Sequence, residues 1–127
     1  MSGAASVGSG ESDAIDEATY AGLVAMTGGD LEFIDELIDT YLADAGDQLA
    51  ALDGAVAAGD VAALTRPAHS LKSSSANVGA LRLSELGRTL EEGSRNGAVA
   101  DPAALVAAAR QEFAAARASL LAKRAPR

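Results

Sequence analysis

The 127-residue chain has no cysteine, no tryptophan and a single histidine. Without thiols there is no disulfide, no thiolate metal site and no thiol nucleophile, and nothing points to an oxidising compartment. Aromatic residues amount to two tyrosines and two phenylalanines. The apolar material is therefore mainly alanine and leucine, which favours helix over sheet. No run approaches the roughly 18 apolar residues that a membrane span needs, and no charged-then-apolar signal segment opens the chain. The expectation is a soluble, cytoplasmic, all-α protein with one modest core.

Basic residues are missing from the first half. Met1 to Thr65 contain 13 acids and no Lys or Arg, whereas Arg66 to Arg127 contain 5 acids and 10 bases. Such acidity argues against nucleic acid as the main partner, because phosphate backbones are bound by clustered Lys and Arg. Most of these charges read as solvated helix faces.

What is present is punctuation and periodicity. "MSGAASVGSGES" is small, polar and Gly/Ser-rich, so residues 1–12 are expected to form a flexible tail. Asp16 caps a short helix carrying Tyr20, Leu23, Val24 and Met26, which Gly28 and Gly29 end. Asp30 caps a long second helix, whose stripe runs through Ile34, Leu37, Ile38, Tyr41, Leu42, Ala45, Leu49, Leu52 and Val56. Gly59 stops it. Asp60 then caps a third helix that reaches Asn77 and turns at Gly79. Pro67, inside that helix, removes a backbone donor and clashes with the Ala63 carbonyl, which predicts a kink just before His69. A fourth helix over about residues 80–95 buries Leu83, Leu86 and Leu90. The last opens at Asp101-Pro102 and turns Leu105, Ala109, Phe113, Ala116 and Leu120 inward. Short connections make neighbours antiparallel. The expected architecture is an up-down-up-down antiparallel four-helix bundle over residues 13–123, with a short additional N-terminal helix across one end and a C-terminal tail over 124–127.

The lone histidine sits in "AHSLKSSSANVGA", Ala68 to Ala80. At about 100° per residue, Leu64, Ala68, Leu71, Ser75 and Val78 share the core face, so His69 points away from it. Arg66 and Lys72 flank the ring at about 60° on either side, and Ser73 and Ala76 lie nearly in line with it. Small neighbours leave room for a macromolecular surface to reach the imidazole. With an unperturbed pKa near 6.5, that imidazole is a nucleophile near neutral pH. A phosphoryl group held there brings close to two negative charges, which Lys72 would partly neutralise, with Ser73 or Ser70 as a further donor. The same residues also read as ordinary surface: an exposed histidine, a solvated lysine, and serines bonded back to helix carbonyls. Composition and spacing leave these alternatives open.

The segment resembles the histidine-phosphotransfer domain of bacterial and eukaryotic phosphorelays. That family has an alanine-histidine-x-leucine-lysine-glycine segment followed by small residues and a later glycine, and Ala68, His69, Leu71, Lys72, Ala76 and Gly79 stand in that pattern. "GDLEFIDELIDTYLADAGDQLAAL" before it and "LRLSELGRTLEEGSRNG" after it look like the flanking family helices, so the resemblance covers roughly Asp16 to Leu121. Ser73 departs, standing where many members have glycine.

The resemblance implies a four-helix bundle in which His69 is the phosphoacceptor, Lys72 the phosphate stabiliser and Ser73 a further phosphate contact. The implied partners are response-regulator receiver domains and a hybrid sensor histidine kinase, served by a monomeric carrier. It needs no cofactor of its own, magnesium belonging to the receiver's aspartate pocket. Docking falls to a basic patch of Arg66 and Lys72 with Arg82 and Arg88, to the small Ala76, and to apolar Leu23, Met26 and Phe33. "GSGES" at Gly8 to Ser12 lacks a lysine, so self-phosphorylation from ATP is not expected. One histidine and scattered carboxylates do not make a metal site either. Two rival readings stand beside the carrier. One is a helical adaptor that binds receiver domains without exchanging phosphate. The other is a hydrolase with His69 as general base, which needs an orienting carboxylate; none lies three or four residues from His69.

Overall fold

Where helical winding starts after Asp16, Asp30, Asp60 and Asp101, the aspartate answers free backbone donors. Asp16 accepts from the Thr19 N–H at 3.0 Å, Asp30 from Phe33 at 3.1 Å, Asp60 from Ala63 at 3.1 Å and Asp101 from Ala104 at 3.2 Å. These are the groups a helix start leaves without intrahelical partners. A computed structural model describes residues 14–124 of the chain. They form α1 (Glu17–Met26), α2 (Leu31–Ala58), a 3-10 turn (Ala62–Leu64), α3 (Thr65–Val78), α4 (Leu81–Arg95) and α5 (Pro102–Arg124). No strand occurs among the described residues. The tail expected over residues 1–12, residue 13 and residues 125–127 lie outside them. Helix α5 continues through Arg124, one residue past the expected end of the bundle, and the Arg124 guanidinium meets Asp35 and Asp39 of α2.

The third helix corrects one expectation. Asp60 caps the 3-10 turn, not α3, and Pro67 becomes the third residue of α3. There its missing N–H removes no intrahelical bond, so the expected kink gives way to a change of winding from 3-10 to α at Leu64 and Thr65.

Ile34, Ile38, Leu49 and Leu52 of α2, Leu71 of α3, Leu83 and Leu90 of α4, and Val106 and Leu120 of α5 are at most 2% exposed. They recur at three and four along each helix, and burying each contributes about 1.5–3 kcal/mol. Leu37, Leu42, Val56, Leu86, Leu105 and Phe113 close the edges, half-buried.

Pairings between helices give the direction of the chain. Thr65 meets Ser94, His69 meets Glu91 and Lys72 meets Ser84, so α3 and α4 run antiparallel. Asp53 meets Arg110 and Asp39 meets Arg124, so α2 and α5 do too. Each of α2 to α5 packs on two neighbours, which closes the four-helix bundle. Helix α1 is added at the far end of α3. Ile15 is fully buried there, and the Asp16 N–H donates to the Gly79 carbonyl at 2.7 Å. A Cβ on Gly79 would lie 2.9 Å from the Asp16 carbonyl oxygen, and its φ is +91°, so only glycine fits this crossing. Among the described residues no helix is long and apolar enough to cross a membrane.

Candidate functional site

His69 is the fifth residue of α3, and its side chain is 53% exposed. Leu64, Ala68, Leu71, Ser75 and Val78 are buried on the opposite face, as the periodicity predicts. The ring is nonetheless held: Nδ1 lies 2.7 Å from Oε2 of Glu91, which comes from α4. The Glu91 side chain is only 2% exposed, a burial that a carboxylate tolerates when it is paired. Lys72 Nζ stands 2.8 Å from its Oε1, and Arg95 Nη2 stands 2.7 Å from Oε2. The Lys72 ammonium holds the Glu91 carboxyl below the usual glutamate range; burial opposes this, and the His69 ring and the Arg95 guanidinium reinforce it. An ionised carboxylate only accepts, so Nδ1–H donates. In the neutral ring the lone pair is then on Nε2, which has no hydrogen-bond partner among the described residues.

Close approach of α3 and α4 makes this contact. A Cβ on Gly87, one turn before Glu91, would sit 3.0 Å from both the Ala68 carbonyl oxygen and the Lys72 nitrogen. Ser84 Oγ donates to the Lys72 carbonyl at 2.8 Å, and the Thr65 and Ser94 hydroxyls meet at 2.7 Å at the other end of the pair. Gly87→Ala is therefore expected to push the helices apart, at a cost of about 1–3 kcal/mol, and to loosen Glu91 from the ring. Urea midpoints together with imidazole nitrogen shifts check this; if both match the wild type, Gly87 has no such role. Beside the ring, Arg66 and Arg95 wall an open cavity of about 500 Å³ lined further by Ala62, Ala63 and Thr65.

A scan against protein families matches residues 36–119 to the Hpt domain. The chain belongs to the Hpt family. The chain is also similar to histidine-containing phosphotransfer protein B (HptB) from Pseudomonas aeruginosa PAO1, known from its crystal structure. The two are 34% identical with a TM-score of 0.79, over 87% of this chain and 93% of that one. No curated protein matches the sequence. The chain is thus a histidine-phosphotransfer protein of phosphorelays, and Hpt proteins are phosphocarriers that work with receiver domains and kinases.

Within this Hpt domain the residues singled out from the sequence separate into groups. Lys72 is half-buried against Glu91. Ser73 is exposed, on the strip of α3 that runs from His69 to Ala76. Arg66 is exposed and makes no ion pair among the described residues. Arg82 is exposed in the first turn of α4. Arg88 is exposed too, but it pairs with Glu85 and Glu92, so its charge is answered on its own helix. Leu23, half-buried, and Met26, 85% exposed, line an apolar groove of about 730 Å³ between α1, α2 and α3, with Leu37, Tyr41, Ala76 and Val78. Phe33 is exposed outside the groove's lining.

Glu91, Arg95 and Gly87 escaped the linear reading of the Hpt domain. The orienting carboxylate absent three or four residues from His69 is supplied by α4 instead. Glu91 had a legible signal, because it stands four residues after Gly87 and eight after Leu83, on the inward stripe of α4. A carboxylate on a core stripe is buried only with partners, and the nearest cations in sequence were Arg88 and Arg95. No protein hydroxyl is hydrogen-bonded to the His69 ring among the described residues.

Proposed function

We propose that His69 takes a phosphoryl group on Nε2 from the aspartyl phosphate of one cytoplasmic receiver domain and passes it to the aspartate of another. The observation that carries this is the Nδ1 to Glu91 contact. It leaves Nε2 as an outward nucleophile and sets a negative charge behind the ring. The Nε2 lone pair attacks phosphorus as the bond from phosphorus to the aspartate oxygen breaks, and that carboxylate leaves with the electron pair. The Nδ1 proton stays on the ring, and Glu91 offsets the positive charge that the imidazole gains. Transfer onward is the reverse of this step. The chain acts as a monomeric carrier rather than an enzyme, with a hybrid sensor kinase upstream and magnesium held in the receiver's acidic pocket. Incubation with a phosphorylated receiver should leave acid-labile, base-stable phosphate on this chain. A complex that forms without moving phosphate would favour the adaptor reading and sink this one.

The groove supports a docking surface for the receiver's apolar rim, since Ala76 on its margin shares the His69 strip. Met26→Glu, at a position 85% exposed, should change stability by less than about 0.5 kcal/mol. It should nevertheless weaken receiver binding about tenfold or more, by removing apolar contact and adding an acid that faces an acidic pocket. Calorimetric titration with a receiver domain measures this, and unchanged affinity takes the groove out of the interface.

A further inference from the structure

The cavity beside His69 has a composition that phosphate uptake by the ring does not by itself require. Arg66 and Arg95 form two of its walls, the rest of its lining is Ala62, Ala63 and Thr65 beside the ring, and among the described residues no acid lines it. Arg66 stands three residues before His69, on the neighbouring strip of the same helix, and has no ion-pair partner among the described residues. Arg95 uses Nη2 on Glu91 and is otherwise 61% exposed. A guanidinium has five N–H donors in a planar fork, so Arg95 can keep Glu91 and still offer donors to a second anion.

Lys72 is placed differently. Its ammonium is the one group set against Glu91 Oε1 among the described residues, and that oxygen is shut off from water. Turning Lys72 toward a phosphoryl group would leave the buried oxygen unanswered. We propose that Arg66 and Arg95 bind the phosphoryl group carried by His69, while Lys72 is a positioning residue that acts through Glu91. This rests on the reading of His69 as phosphoacceptor. It reassigns Arg66 from docking to phosphate binding and takes the direct phosphate contact from Lys72.

The test labels the full chain with phosphoramidate, then follows the lifetime of the phosphohistidine and the phosphorus-31 titration of the phosphoryl group. Among the described residues Arg66 pairs with neither Glu91 nor another acid, so its variants alter the phosphate contact and leave ring orientation alone. Arg66→Gln and Arg95→Gln should each shorten the lifetime about tenfold and move the phosphoryl titration to higher pH, with Arg66→Lys restoring part of both. Lys72→Gln should slow uptake and leave the titration at its wild-type position. The proposal is overturned if Lys72→Gln moves the titration while both arginine variants match the wild type. A wild-type chain that acquires no acid-labile phosphate brings down the phosphoacceptor reading and this one together. A labelled wild type that Arg66→Gln and Arg95→Gln equal in lifetime and titration brings down this one alone.

Discussion

Replacing His69 with glutamine is expected to abolish uptake of acid-labile phosphate while the bundle stays folded. The side chain is 53% exposed and, among the described residues, makes one hydrogen bond, to Glu91, which a glutamine amide can also donate. The change in stability should therefore stay within about 1 kcal/mol. The chemical effect is complete by contrast, because an amide nitrogen has no lone pair free for attack on phosphorus. The chain contains no second histidine and no cysteine, so no side chain of comparable nucleophilicity can take over. Thermal melts followed by circular dichroism, run beside phosphate labelling, check both halves. Labelling that persists in the folded variant would move the acceptor to another residue.

The second large effect belongs to Glu91. Glu91→Ala removes the one carboxylate that orders His69, Lys72 and Arg95. Losing hydrogen bonds to charged groups from a buried position should cost about 2–3 kcal/mol. With Nδ1 unheld, the ring turns freely and no longer keeps Nε2 outward, so transfer should slow by about tenfold or more. Acid dependence separates the charge from the shape. The Lys72 ammonium holds the Glu91 carboxyl below its ordinary value of 4.5 in the folded chain. Its contribution to stability is therefore complete above pH 4.5 and is lost as pH falls through the lower folded value. The wild type should shed stability on acidification through that window, and Glu91→Gln should lack that part of the decline. Urea midpoints for the two proteins at neutral pH and below the window decide it; parallel declines would mean that Glu91 titrates alike in the folded and unfolded chains.

Much of the fold was legible because its causes are local. Each aspartate cap reaches a donor three residues ahead, and each core stripe repeats every three or four residues. The exposure of His69 followed from the same count, since the core face of α3 was already occupied by Leu64, Ala68, Leu71, Ser75 and Val78. Pro67 would kink a helix that began at Asp60, but α3 starts only two residues before the proline. The helix boundary decides the outcome, because a proline in a first turn has no bond to break. Arg88 shows another limit. Its position on α4 was readable, but whether it serves a patch around His69 depends on which acids it meets, and it meets Glu85 and Glu92.

The sequence alone determined the all-helical bundle, its antiparallel order and an outward imidazole between cations, because period, caps and connection lengths are written within one helix or one turn. The resemblance around Ala68 to Gly79 added the phosphorelay to that reading. What the imidazole faces depends instead on packing between helices. His69 and Glu91 are 22 residues apart on different helices, and their meeting depends on how closely α3 and α4 approach. That distance is set by the missing Cβ of Gly87 against the backbone of Ala68 and Lys72. A helix's period specifies which face is buried; the depth and rotation at which two such faces meet come from packing across the interface. The tautomer of the ring, the engagement of Lys72 with a buried carboxylate and the cavity between Arg66 and Arg95 all follow from that contact.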